Sequence, residues 1–187
     1  MLDKIAITLA LALLLPAGCD SEESAKEDES AKSSKTEPKA GAGDIESQKK
    51  DARLLLRAYL EMMVQVAKNG TGTPMLPVLD ELSGRAKKLS ELPAVTMRVE
   101  RLLAVTKAVI APIEPGTEAE VSAMLDKFVK DIEGPEAVVA RGGGLAALMP
   151  AINEEIISLY QALDGTKDRD ATIARYLRPL GIDPDRK

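Results

Sequence analysis

Val121, Met124, Leu125, Phe128, Val129 and Ile132 fall at i, i+3, i+4, i+7, i+8 and i+11. Only an α-helix puts six such residues on one face, because its 3.6-residue turn returns every third or fourth side chain to the same side. The same spacing recurs from Ile45 onward, and no segment sustains the period-two alternation of a half-buried strand. The chain is therefore read as all-α, a helical bundle of about five to six helices spanning 45–187.

The helix boundaries follow from breakers and caps. The first helix is expected over about 45–68, with Leu55, Leu56, Tyr59, Leu60, Met62, Met63 and Val66 on its apolar face. "NGTGTP" ends it. The second is expected over about 74–91, burying Leu79, Leu82, Ala86 and Leu89, and Pro93 opens the third, which runs to about 111. Thr117 and Glu120 are read as a capping box at the start of the fourth, and Gly134–Pro135 stops it. Pro135 can start a short helix, with a break or kink expected near 142–150, where Gly142, Gly143, Gly144 and Pro150 all oppose helix. A good helix then runs to Leu163, with Gly165 as its cap. A last helix over about 168–179 buries Ile173, Tyr176 and Leu177.

Composition excludes several chemistries. The chain holds no His and a single Cys, Cys19. Ser–His–Asp and Cys–His catalysis, His-based zinc sites and an internal disulfide are all ruled out. The net charge of -5 and 2% aromatic content argue against a phosphate-tracking or base-stacking surface for nucleic acid. No catalytic residue, cofactor site or metal site is assigned.

Cys19 sits at a junction. Before it, Ile5–Leu15 is an apolar run of 11 residues behind Lys4, suited to a signal-peptide core and short for a membrane span. After it, "DSEESAKEDESAKSSKTEPKAGAGD" has no aliphatic residue larger than Ala. Such a segment cannot bury enough apolar surface to offset its ordering entropy, so 20–44 is expected to be a disordered, acidic tether. As a flexible coil it spans roughly 25–30 Å. A buried cysteine would need a folded surround that this tail does not supply. A catalytic thiolate would be disfavoured beside Asp20, Glu22 and Glu23. An ordinary cleaved secretory signal without lipid remains an alternative.

Ala17, Gly18 and Cys19 resemble the last three positions of the lipobox of bacterial lipoproteins, with Pro16 where that pattern usually carries Leu. The resemblance covers about the first 20 residues. It implies that 1–18 is a lipoprotein signal peptide, that the Cys19 thiol takes a diacylglyceryl group, and that Cys19 becomes the mature N-terminus. It also implies a place in the bacterial cell envelope, on the periplasmic side of a membrane or at the cell surface. In enterobacteria, Asp directly after the lipidated Cys favours inner-membrane retention, and Asp20 stands there. Two or more acyl chains hold a protein stably at a bilayer.

Other motifs carry structural readings. Arg141 and the Gly142–Gly144 run could present N–H groups to an anion, but the rest of a phosphate loop is missing, so close packing or a hinge is preferred. Glu154 and Glu155 are read as a solvated helix face. Asp164, Asp168 and Asp170 lack calcium-loop spacing and are read as helix caps. The methionines are read mainly as core fill. The leading functional expectation is a lipid-anchored, non-enzymatic interaction module with an envelope protein partner. The alternative is a carrier or sensor of a small apolar ligand held between Met-rich helices.

Overall fold

A computed structural model of the chain describes residues 42–70, 72–137 and 144–185. The expected signal peptide, Cys19 and the expected tether up to residue 41 lie outside these residues. The described part is all-α. Helix α1 spans Ala42–Asn69, α2 Leu76–Ala86, α3 Pro93–Ile110, α4 Glu118–Glu133 and α5 Gly144–Asp164. A short α6, Arg169–Thr172, runs on through a π-helical turn, Ile173–Leu177, into a 3₁₀ turn, Arg178–Leu180. Among the described residues no helix is long and apolar enough to cross a membrane.

Helix α5 is the axis of the bundle. It packs against α1, α3, α4 and α6. Because it has neighbours on several sides, its buried set is not one stripe. Leu148, Ala151, Ile152, Ile156, Ile157, Leu159, Tyr160 and Leu163 are all buried. They meet Leu55, Leu56, Tyr59 and Leu60 of α1 and Val99, Leu102 and Leu103 of α3 in a single core. One polar link crosses that core. The Thr106 hydroxyl donates to Leu102 O at 2.9 Å, so it receives the Tyr59 hydroxyl at 2.7 Å, and both groups are satisfied. Burial drives the Tyr59 phenol well above its ordinary pKa.

The periodic helices stand close to where the sequence puts them, and the differences have local causes. Helix α1 reaches back over Ala42–Asp44, three residues assigned to the tether, with Asp44 in its first turn where a negative charge complements the helix dipole. Helix α2 stops at Ala86 rather than near 91. Lys88 N and Leu89 N bond three residues back, at 3.1 and 3.0 Å, which tightens the chain out of α-helix. The Thr96 hydroxyl then engages Leu89 O and Leu92 O at 2.8 and 3.0 Å.

The expected capping box at α4 does not form. Thr117 lies at φ -100°, ψ 1°, not in the extended conformation that aims a cap side chain at the helix. Its hydroxyl donates to Glu114 O at 2.8 Å, while the Glu118 carboxylate, not that of Glu120, accepts from Gly116 N at 2.9 Å. Helix α4 has the clearest amphipathic pattern yet buries only Phe128 and Val129 fully.

Pro150 does not interrupt α5, which is helical from Gly144 onward. Ala146 and Pro150 are both exposed, so water can reach the carbonyl that Pro150 leaves without an N–H partner. Pro135 and Glu136 form a turn and Ala137 is not helical; residues 138–143, with Arg141, Gly142 and Gly143, lie outside the described residues. Gly165 caps α5 as expected. Its φ is 68°, and Thr166 N closes back on Gln161 O at 3.1 Å.

Candidate functional site

Three features of the bundle have more chemistry than core packing requires. The first is an open apolar groove of about 1040 Å³ at the end of the bundle where α1 and α3 finish and α5 begins. Its walls include Met63, Val66 and Ala67 of α1, Val109 and Ile110 of α3, and Leu145 and Met149 of α5. Leu180 and Ile182 of the C-terminal segment close one side, and Lys68 is the charged residue of the lining. The groove follows from the helix ends. Gly70 takes φ 68° just after α1 ends, and Gly144 takes φ 52° as α5 begins, so both backbones turn without side chains to fill the space. Gly72 backs against Ile110 so closely that a Cβ there would collide with that side chain.

Of the methionines, Met62 and Met63 are buried, Met75, Met124 and Met149 are half-buried, and Met97 is 68% exposed. Core filling thus describes Met62 and Met63, with Met75, Met124 and Met149 packed against the core, and fails for Met97. Met63 and Met149 also face the groove.

The second feature is an ionic cluster between α3, α4 and α5. The Glu155 carboxylate is 5% exposed and accepts two bonds from Arg98, at 3.0 and 2.9 Å. Arg101 approaches it at 3.6 Å, donates to Asp131 at 2.9 Å, and lies 5.4 Å from the Phe128 ring centroid. The reading of Glu155 as solvated is therefore corrected. On α5, a helix enclosed by its neighbours, the residue next to an outward-facing one is itself inside. Glu154 is 43% exposed and pairs with Arg169. The two adjacent carboxylates thus serve different partners. Among the described residues, the Arg101 Nε and Asn153 Oδ1 atoms are buried without a hydrogen-bond partner.

The third feature is built on Asp164, the last residue of α5. It is not a helix cap. Its carboxylate accepts from Arg53 Nε at 2.8 Å and from the Tyr176 hydroxyl at 2.6 Å, with Arg175 at 3.5 Å. Partial burial pushes this carboxyl upward, but the Tyr176 hydroxyl and the Arg53 guanidinium outweigh it and hold it below the usual carboxylate range. Arg53 also donates to Leu163 O at 3.0 Å, so it ties α1 to the end of α5. The Tyr160 and Tyr176 rings stack at 3.9 Å with 4° between their planes, and the Arg175 guanidinium lies 5.1 Å from the Tyr176 centroid. Burial raises the pKa of both phenols, and the Asp164 charge adds to that effect. Asp168, by contrast, caps α6 as expected, accepting from Ala171 N at 3.0 Å. Asp170 lies in the first turn of α6, where its charge complements the helix dipole.

The Asp164 centre was not legible beforehand, because it draws on Arg53, Asp164 and Tyr176, which are more than a hundred residues apart in part. Local sequence does not mark it, since Arg53 falls in a helical stripe with Lys50 and Arg57. Comparison with family models, with curated proteins and with solved structures returns no match to this chain.

Proposed function

We propose that this chain is a lipid-anchored, non-enzymatic interaction module of the bacterial cell envelope. In this reading Cys19 carries the lipid, the acidic segment after it spaces the bundle from the bilayer, and the groove at the α1–α3–α5 end receives another envelope protein. The observation that carries it is the groove. It is open rather than enclosed, apolar, and partly lined by the adaptable side chains of Met63 and Met149. Sequence chemistry supports the non-enzymatic part, since the chain contains no His and its one Cys stands at the lipobox-like junction.

The same apolar lining favours a second reading, a carrier of a small apolar ligand. An open groove suits a partner segment better, because it leaves one side of a free ligand in water.

Photo-crosslinking in intact cells separates these readings. A crosslinker at Met149 should give one discrete protein adduct, while one at exposed Met97 on α3 should give none. Absence of an adduct from Met149 and from a second groove position, Leu145, would remove the docking reading. A lipid-sized mass shift at both positions would favour the carrier.

A further inference from the structure

On the flank of the bundle, α1 and the C-terminal segment enclose a second pocket of about 280 Å³. It shares only Leu180 with the groove. Its lining carries four cations and no acid: Lys50, Arg53 and Arg57 from one face of α1, and Arg175 from the π-helical turn. In a chain of net charge -5 this is a local reversal of sign. We infer that this pocket binds a phosphate monoester carried on a short apolar or aromatic stem.

The cations divide into two kinds. Arg53 is fixed by Asp164 and Leu163 O, with Glu46 a further 3.5 Å contact, and serves as a rigid wall. The other three offer their heads to solvent. The Arg57 side chain is 66% exposed, and its partner Glu61, 51% exposed, is free to swing away. The Arg175 side chain is 70% exposed and holds Asp164 only at 3.5 Å. Lys50 is exposed and makes no ion pair among the described residues.

Binding an anion here therefore breaks little, since exposed ion pairs are screened by water and add little to stability. Three cationic heads around one pocket match the three terminal oxygens of a phosphate monoester better than the two of a carboxylate. The rest of the pocket is apolar. The stacked Tyr160 and Tyr176, with Leu54, Pro179 and Leu180, supply the apolar lining that takes the stem. The volume lies near the lower end for small-molecule sites, which suits a head group and a ring or a few carbons.

Isothermal titration of the full chain in mild detergent with phenyl phosphate tests this, with inorganic phosphate as comparator. The expected result is saturable one-to-one binding, roughly tenfold tighter for phenyl phosphate than for inorganic phosphate. The double substitution Lys50→Gln/Arg57→Gln, at two exposed positions, should weaken it by roughly tenfold or more. Lys107→Gln, which removes an exposed cation on α3, should leave it unchanged. The chain has no Trp, so a change in fluorescence from its three tyrosines, two of which line the pocket, is a second readout. Dihexanoyl phosphatidate in a parallel titration identifies the source. Tighter binding than phenyl phosphate supports a lipid head group, and weaker binding supports a soluble phosphate ester. Absence of saturation, or a Lys50→Gln/Arg57→Gln variant that binds like the parent, overturns the inference. Equal binding of inorganic and phenyl phosphate overturns the role of the stem.

Discussion

Replacing Glu155 with Gln keeps its volume and removes its charge. The carboxylate is 5% exposed and accepts from Nε and Nη2 of Arg98, whose own side chain is 28% exposed. Breaking a fully buried ion pair costs about 3–5 kcal/mol, because the surviving charge is left without its partner. Water can still reach part of Arg98, and Arg101 keeps Asp131 at 2.9 Å, so the cost here should be lower, about 2–3 kcal/mol. Urea unfolding followed by far-ultraviolet circular dichroism measures it. With a slope of about 1.5 kcal/mol per molar, the midpoint should fall by about 1–2 M with the slope unchanged. The pair Arg98→Met/Glu155→Met removes both charges and should recover most of the loss, since apolar replacement of a buried pair is often close to neutral. A Glu155→Gln variant within about 0.5 kcal/mol of the parent would refute the reasoning, because that is how a surface substitution behaves.

Two further perturbations test other parts of the bundle. The Asp164 carboxyl is held below its unfolded pKa, so its contribution to stability is present above about pH 4 and is lost as pH falls through the lower folded value. Asp164→Asn should lower stability at neutral pH and flatten that acid limb; parallel acid unfolding curves for the two proteins would contradict the cluster. Gly72→Ala drives a Cβ into Ile110 and should cost about 1–3 kcal/mol by thermal melting, whereas Gly84→Ala, in open space on α2, should stabilise by up to about 1 kcal/mol. Equal melting temperatures for these two variants would show that the chain after α1 does not lie against α3.

The fold was legible because hydrophobic periodicity is a local property. Val121–Ile132 and Leu55–Val66 each specify a helix without reference to the rest of the chain. What periodicity does not carry is how many neighbours a helix has. The face of α4 is the more regular, yet α4 is peripheral, while α5, whose apolar pattern is broken by Pro150 and two glutamates, is a continuous and central helix. Glu155 was misread for that reason: its burial is set by Arg98, 57 residues earlier, and by the helices that enclose α5. The tyrosine stack and the cations above it were invisible for the same cause. Tyr176 reads as core, and nothing local brings it beside Lys50, Arg53 and Arg57, which the C-terminal turn joins only in the fold. Local capping was read correctly at Asp168 and Gly165. It failed at Thr117, where the hydroxyl engages the turn before the helix instead of the helix itself.

The proposal that the bundle is displayed from a membrane rests on Cys19. Intact-mass and fragment analysis of the mature protein, extracted from the membranes of the cells that make it, addresses that residue directly. The account predicts a chain that begins at Cys19 and carries a diacylglyceryl thioether on its sulfur. A chain that begins elsewhere, or that carries Cys19 as an unmodified thiol, would contradict it.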